Sequence, residues 1–383
     1  MGAPVSLTWA EVCGRRMERH GLVDPLPGDD PADAAAAMAG AHAQVMSAAE
    51  LSLGLRMATV TTSGVREALW ERGTLVKTFG VRGTVHLLAA RDLPLWLQAL
   101  SALPPSRNVP EPSARLTPGQ ADEVVEAIAG ALANAELTVD ELGSEVVDRA
   151  GSWAGDLVMP AFQGMWPRWR QAMGLAAHRG ALCFGRGRGQ AVTYASPRRW
   201  LDGRTPSTES ALTWLLETYL HAYGPATPSH FAQWLAAPRP WAADLFASCR
   251  PGLEEVLVDG RAMWVRAGDT GGARRRRVRL LPYFDAYAVG CHPRSLLFPG
   301  PAGERALSRG QAGNHPVLLV DGVVAGVWHH RRSGRRVDVT VEPLAPLRPG
   351  RRRQLDAAVE RLGAVLEATA AARLGKVTVG PHA

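Results

Sequence analysis

A histidine and a glutamine, His42 and Gln44, stand two residues apart between two segments with helical patterning. The preceding helix is expected to end at Gly40, and the next to begin in a capping box of Ser47 and Glu50. Side chains two residues apart point the same way only in an extended segment, because the side-chain period there is two. The spacing therefore predicts that an imidazole and an amide meet at a joint between two helices.

Both side chains are able to hold a water molecule. An amide oxygen accepts a hydrogen bond from water, whereas a neutral imidazole, with an ordinary pKa of ~6.5, can also take the proton. The bland alternative is that both side chains only bond to free backbone groups at the helix joint. The residues alone leave these two interpretations open.

The composition describes a globular chain with a basic surface. It has 383 residues, 46% hydrophobic content and a formal net charge of +7, and its length predicts two to four cores. Arginine supplies nearly all the positive charge, which suits phosphate backbones but is also typical of a GC-rich genome. The four cysteines form no CxxC pair, so we expect a reduced cytoplasm and no zinc knuckle. The start of the sequence has no signal-peptide pattern, and no apolar run approaches the ~18 residues that a membrane span needs, so neither is expected.

Several other catalytic mechanisms have no motif in the sequence. GxSxG, Walker A and HExxH patterns are missing. The glycine-rich stretch 185–189 lies between two predicted strands, so it is interpreted as a hairpin tip. His329 and His330 are adjacent, and neighbours on a strand point to opposite faces, which argues against a metal site. We therefore expect neither a metal nor a cofactor.

A pattern of helices followed by a hairpin occurs three times, which is typical of winged helices. Within the second repeat a helix is expected at 156–173. The remainder of the chain is richer in strands, with a long helix expected at 350–374 and a last strand at 376–379. A Pro-rich linker is predicted at 104–112. The fold class is therefore α+β, with three tandem winged-helix modules and a C-terminal antiparallel β-barrel-like domain. The predicted domains are 1–103 with the His42 stretch, 113–198, 205–268, and 275–383 with the long helix.

Four stretches, in order along nearly the whole chain, resemble motifs of the AlkZ/YcaQ-type winged-helix DNA glycosylases. They are MAGAHAQ at 38–44 with a helix ending in Leu55-Arg56, RGTVH at 82–86, YLHAYGPAT at 219–227, and LLPYFDAY at 280–287. The resemblance implies a DNA channel and excision of alkylated purines, including bulky N7 adducts and crosslinks made by natural-product genotoxins. The family motif is Gln-x-Gln or Gln-x-Asp. This chain is a His-x-Gln variant that matches at Gln44 and departs at His42.

The predicted catalytic residues are accordingly His42 and Gln44. An N7-alkylated purine is positively charged, so its glycosidic bond is already weak, and the enzyme needs chiefly to stabilise the sugar cation and place a water. Lys77 and Lys376, the only lysines, lie outside the motif, so hydrolysis without strand cleavage is expected. Asp285 is a candidate supporting charge, with a helix or turn cap as its alternative role.

Basic residues at predicted hairpin tips and loops are candidate DNA contacts. Arg82 and His86 belong to the first hairpin, where a turn residue and a half-buried strand residue are the alternatives. Runs of charge are often merely solvated, but tips of one sign in a basic protein suit phosphate contacts. The other candidates are Arg274, Arg275, Arg331, Arg332, Arg335 and Arg336.

These observations predict a monofunctional DNA glycosylase that hydrolyses the N-glycosidic bond of bulky N7-alkylated guanine. Its expected role is self-resistance to a genotoxic natural product. The expected partner is double-stranded DNA carrying alkylated purines, bound by a monomer in the nucleoid-associated cytoplasm. Two alternatives remain, a winged-helix regulator that binds undamaged DNA and a protein that sequesters the free genotoxin. A regulator usually reads its site as a dimer, and the sequence has no obvious dimer helix.

Overall fold

The computed structural model describes residues 4–105, 111–161, 164–201, 203, 205–272 and 274–382. Residues 106–110 of the predicted Pro-rich linker lie outside the described residues. The architecture mixes α-helices with five small sheets. No helix in the described ranges is long and apolar enough to cross a membrane.

The first helix–hairpin unit packs helices against a three-stranded sheet. Its elements are β1 Val5–Leu7, α1 Trp9–Arg19, α2 Pro31–Ala37, β2 Ala41–His42, α3 Met46–Gly54, α4 Thr62–Trp70, β3 Leu75–Phe79, β4 Val85–Ala89 and α5 Leu93–Ser101. The strand order β2-β4-β3 places the two-residue strand at one edge. Leu87 faces the core under α2, α3 and α4, whereas its neighbour Leu88 belongs to the large core shared with the rest of the molecule. His42 pairs with His86, so both lie on the shared face.

The connector around His42 is extended through Ala43, as its spacing predicts, but it bends at Gln44 and Val45, and the neighbouring helices have different ends. Helix α2 stops at Ala37, and α3 begins at Met46 without a side-chain cap. The predicted capping box of Ser47 and Glu50 is wrong. Glu50 is buried and binds Arg66 at 2.7 Å instead, so its carboxylate is not available to cap the helix.

The second unit repeats this arrangement with an inserted hairpin. Its elements are α6 Pro118–Ala131, β5 Leu137–Thr138, α7 Val139–Ala150, β6 Leu157–Ala161, β7 Gly164–Pro167, α8 Met173–His178, β8 Cys183–Phe184 and β9 Thr193–Ala195. The order β5-β9-β8 matches that of the first unit. The helix predicted for 156–173 is wrong, because Leu157–Ala161 and Gly164–Pro167 pair as the antiparallel strands β6 and β7. Pro160 and Pro167 lack the amide hydrogen that a helix interior requires.

The third unit is shorter, and its sheet borrows a strand from the start of the chain. Its elements are α9 Thr208–Tyr223, α10 Pro228–Leu235, α11 Arg239–Ser248, β10 Leu253–Val258 and β11 Arg261–Arg266. Ala226, just before α10, bridges to Trp264 of β11, and β1 runs parallel to β10. In all three units the segment before one helix (α3, α7 or α10) therefore pairs with the second strand of the hairpin.

The last part of the chain forms a five-stranded sheet backed by one long helix. Its elements are β12 Val278–Leu281, α12 Ala286–Gly290, α13 Arg294–Leu297, α14 Pro301–Ala306, β13 Val317–Val320, β14 Val323–Ser333, β15 Arg336–Pro343, α15 Pro349–Val365 and β16 Thr369–Leu374. The strand order follows the sequence, and β15 and β16 are parallel because α15 carries the chain across the sheet. The predicted antiparallel β-barrel-like domain is confirmed in part, since the five strands form a curled sheet, a half-barrel, that is antiparallel except for β15 and β16. The last strand is 369–374 rather than 376–379, since α15 ends at Val365.

Candidate active site

The four stretches singled out in the sequence converge on one small cavity beside the first sheet. Its volume is about 10 Å³, close to the smallest space that accommodates a single water molecule. The residues that line it are Ala39, Gly40, His42, Val81, Arg82, His86, Tyr223, Trp234, Phe284, Ala286, Val289 and Gly290. The cavity is therefore built by the first unit, the third unit and the C-terminal region together.

Gly40 allows the chain to enter the site. Its φ of +96° lies in the region that favours glycine, and a Cβ there would lie 2.9 Å from Leu88 and 3.3 Å from His86. Tyr223 of α9 donates its hydroxyl to the carbonyl of Met38 at 2.6 Å. These contacts fix the chain just before His42.

His42 is held by two aromatic rings and is only 8% exposed. The Phe284 ring stacks on the imidazole at 4.9 Å with an interplanar angle of 24°, and His86 approaches edge-on at 5.3 Å. Its Nδ1 is buried without a hydrogen-bond partner among the described residues. Buried polar atoms are normally paired, so this nitrogen is an available site for a water or a substrate group.

Burial keeps His42 neutral. It lowers the pKa of His42 to about 4, and the nearby Arg82 guanidinium acts in the same direction. A neutral imidazole places no charge against a developing sugar cation. A base with so low a pKa is a weak proton acceptor, so this geometry suits holding a water more than deprotonating it in advance.

His86 supports His42 from behind and is not on the surface of the hairpin. Its Nδ1 donates to the carbonyl of Thr84 at 2.8 Å, and Gly80 leaves the room that its ring occupies. The ring is 4% exposed, and burial followed by the neighbouring His42 lowers its pKa to about 3. The expected DNA contact by His86 is corrected accordingly, because a ring so deeply buried presents nothing to a phosphate.

Arg82 adds positive charge to the cavity. It adopts a φ of +60° at the hairpin turn, and its guanidinium donates to the carbonyl of Trp234 on α10 at 2.9 Å. This tether draws the side chain inward, so Arg82 lines the cavity and is half-buried. Its position suits a phosphate or sugar oxygen at the mouth of the site.

Gln44 lies on the outer side of the site. The amide of Ala43 donates to the carbonyl of Val85 at 2.7 Å, which continues the antiparallel register beyond β2. The chain then bends at Gln44 and Val45, so this register ends at Ala43. Gln44 is exposed and does not line the cavity, so His42 lies at the cavity and Gln44 lies outside it.

Asp285 is directed away from the cavity. Its carboxylate accepts two hydrogen bonds from Arg56, at 2.8 and 2.9 Å, and one from the hydroxyl of Ser52 at 2.7 Å. It also accepts from the amide of Tyr287, the helix cap that the sequence left as the alternative. Burial alone would raise its pKa, but the Arg56 charge and these hydrogen bonds lower the pKa. Asp285 therefore anchors its neighbours, Phe284 and Ala286, at the site.

The remaining arginine candidates are exposed on two separate surfaces. Arg275, in the segment before β12, pairs with Glu18 at 3.1 Å. The end of the β14–β15 hairpin carries Arg332 and Arg336, the second paired with Asp338 at 2.9 Å. The remaining members of these two groups are Arg274 on the first surface and Arg331 and Arg335 on the second.

The arginines of the hairpin border a cleft on the face of the five-stranded sheet opposite α15. The cleft has a volume of about 560 Å³, and Arg331, Arg336, Arg373 and Lys376 are its cationic lining residues. Arg373 and Lys376 were missed by sequence reasoning because it placed the last strand incorrectly. Phe284, Tyr223 and Trp234 were missed for another reason. They stand within or just after the recognised stretches, but apolar residues there were not considered as parts of a site.

The described residues contain no group of three or more His, Cys, Asp or Glu side chains that could hold a metal ion. The family model described as "DNA glycosylase AlkZ-like" matches residues 35–365, which makes the protein a DNA glycosylase. It belongs to the AlkZ-like family.

Two relatives carry the comparison further. One, described as an "interstrand DNA cross-link repair glycosylase" of Streptomyces sahachiroi, is 31% identical over 335 residues, which span 84% of this chain and 87% of the relative. The solved structure of the Streptomyces sahachiroi DNA glycosylase AlkZ superposes with a TM-score of 0.79 at 26% identity. That superposition covers 97% of this chain and 100% of the other.

Proposed function

We propose that this glycosylase hydrolyses the N-glycosidic bond of bulky N7-alkylated guanine in double-stranded DNA, in self-resistance to a genotoxic natural product. The observation that carries the proposal is the neutral, buried His42 with an unpartnered Nδ1 beside a cavity the size of one water. The relative described as repairing interstrand cross-links supports a bulky substrate.

In the proposed reaction the bond from the sugar carbon to the purine nitrogen breaks first. Its electron pair goes to the purine, which loses the positive charge that alkylation gave it. The water held by His42, with Gln44 at the outer side, then forms a bond to the cationic sugar carbon. A water bound in this way becomes strongly acidic, so a base with a pKa near 4 is adequate to accept its proton at this late stage.

The damaged base is proposed to remain outside the cavity. A space of about 10 Å³ holds a water but no nucleobase. Glycosylases that extrude their target require a pocket that encloses the base. A site that presents a held water to the sugar, and has no pocket for the base, suits adducts too bulky to be extruded.

Cleavage of the strand is not part of the proposed reaction. Lyase chemistry through a Schiff base needs an amine at the sugar carbon. The Lys77 ammonium lies over the Phe184 ring at 4.9 Å, and Lys376 lies in the cleft on the five-stranded sheet. Neither is among the residues that line the cavity.

DNA binding is proposed to involve a monomer with three tandem winged-helix modules, at 1–103, 113–198 and 205–268. The shared strand order of the units supports this division. Arginines on the surface before β12 and around the cleft would contact phosphates, with Arg373 and Lys376 added to the candidates. Each phosphate contact should contribute about −0.9 to the slope of log affinity against log salt.

The test uses a duplex that carries N7-alkylguanine adducts and an otherwise identical undamaged duplex. We expect mass spectrometry to detect released adducted base, and strand breaks to appear only after alkali. DNA binding without any released base would contradict the proposed excision of N7-alkylguanine. A footprint on undamaged DNA would favour the regulator, and tight binding of free alkylating agent without excision would favour sequestration.

A further inference from the structure

Phe284 holds an unusual backbone conformation next to His42. Its φ is +53°, a region that bulky residues rarely adopt. Its amide donates to the carbonyl of Gly313 at 2.9 Å, and the buried pair of Asp285 and Arg56 fixes the next residue. A Cβ on Gly313 would lie 2.8 Å from the Phe284 ring, so glycine is required there. Strain of this kind persists only where surrounding contacts impose it, and it often marks a functional position.

The Phe284 ring has a second aromatic neighbour besides His42. The His382 ring meets it edge-on at 5.5 Å and an angle of 74°, while the stacked imidazole of His42 covers another part of the ring. Stacking closes one face of the His42 imidazole to water and limits its rotation. The nitrogens at the ring edge remain able to form hydrogen bonds, one as a donor and the other as an acceptor in the neutral ring.

The segment after β16, residues 375–382, brings His382 to this position. Val377 is buried, its amide donates to Glu342 at 2.7 Å, and Arg305 donates to its carbonyl at 2.7 Å. Further along, the backbone of His382 exchanges two hydrogen bonds of 2.8 Å with Asn314. Asn314 follows the glycine that binds the Phe284 amide. The segment, the 313–314 loop and Phe284 thus form one hydrogen-bonded group.

We propose that Phe284 is a positioning residue for His42, and that the segment 375–382 locks Phe284 in place. The inference rests on the proposed function, in which His42 must be neutral and aimed at a water. The titratable groups that face His42 from the packed elements are Arg82 at the hairpin turn, His86 on β4 and Tyr223 on α9. The Asp285 carboxylate pairs with Arg56 and does not line the cavity. Phe284 itself carries no charge, so it acts on His42 by stacking and by excluding water.

The central experiment compares Phe284→Leu with a matched control, Tyr283→Leu. Tyr283 also touches His382, at 5.5 Å, but it is not among the residues that line the cavity. The pKa of His42 is measured by NMR with labelled histidine, with the signal assigned by its loss in His42→Gln. Phe284→Leu should move that pKa upward by about one unit or more towards the ordinary ~6.5. It should also lower kcat about tenfold with KM within about twofold, and Tyr283→Leu should change neither.

Two changes in the segment test the lock. His382→Ala, and a chain that ends after Val379 and so keeps the buried Val377, should shift the His42 pKa and kcat in the same direction by less. These variants also carry the test if Phe284→Leu does not fold. An unchanged His42 pKa in all three variants would overturn the proposal. If the unaltered protein excises nothing, the proposed function is refuted. A shift of the His42 pKa in these variants would then still support the positioning role of Phe284.

Discussion

The first and second helix–hairpin units share one strand order but differ where strand β2 leads to α3 and strand β5 leads to α7. In the second unit, β5 runs directly into α7, and Thr138 and Glu141 cap that helix by reciprocal hydrogen bonds of 2.8 and 3.3 Å. In the first unit, three residues separate β2 from α3, and α3 has no side-chain cap. The residue that corresponds to Thr138 is His42, whose Nδ1 has no partner.

The difference shows how one scaffold serves two purposes. The second unit uses its polar side chains to satisfy backbone groups, and the third does the same with Thr227 and His230 at the start of α10. The first unit leaves a helix start uncapped, and its His42 side chain lines a cavity. Sites where local rules of stability are broken are where function is expected.

The largest expected effect concerns how each unit is attached to its neighbours. The first unit is joined to the C-terminal region by Arg56 and Asp285, whose side chains are both 0% exposed. Asp285→Asn should lower the free energy of unfolding by about 3–5 kcal/mol, because it leaves a buried guanidinium unpaired. Arg186→Gln, which removes the exposed link from the second unit to Glu71, should cost under about 1 kcal/mol. Denaturant unfolding measures both, and equal losses would refute the distinction.

The next comparison sets His42→Ala against Thr138→Ala. His42→Ala should reduce the excision rate by roughly 100-fold or more while DNA binding persists, because the water loses its acceptor. Thr138→Ala should lower the free energy of unfolding by about 1 kcal/mol, the usual cost of a lost cap, without changing excision. Single-turnover excision and urea unfolding are the two measurements. Comparable losses of excision in both variants would mean that the site acts through stability alone.

Part of this comparison was accessible from the sequence and part was not. His42 and the four stretches around it are local patterns, so they could be identified before any contact was known. The pairing of Arg56 with Asp285 spans 229 residues, and no local pattern indicates it. The stack of Phe284 on His42 is hidden for the same reason. The predicted capping box was wrong because the Glu50 carboxylate pairs with Arg66, which lies outside α3.

The two units also differ in their buried histidines, which predicts a pH dependence. Burial lowers the pKa to about 3 for His20 and His86 and to about 4 for His42 in the first unit, and to about 4 for His178 in the second. In the unfolded chain these groups titrate near ~6.5. Between about pH 4 and 6.5 the unfolded state therefore binds more protons, so the free energy of unfolding should fall as the pH decreases.

Melting temperatures measured from pH 8 to pH 4 check this expectation, with little change above about pH 6.5. Excision should lose activity only near pH 4, where His42 becomes protonated. An activity loss centred near ~6.5 would show that the histidine is hydrated in the working enzyme. His86→Gln and His178→Gln should each make the stability less dependent on pH, because burial lowers the pKa of both histidines.

The smallest expected effect is that of His42→Gln, which converts the His-x-Gln stretch into the Gln-x-Gln pattern that the family resemblance implies. If the site needs only an unpaired acceptor beside the water, the amide oxygen replaces the imidazole, and the excision rate should stay within about tenfold. The loss of activity near pH 4 should then disappear, because an amide does not titrate. A fall as large as that of His42→Ala would instead show that proton transfer to the imidazole is required. The comparison of the units favours the first outcome, since what distinguishes His42 from Thr138 is its unsatisfied nitrogen rather than its basicity.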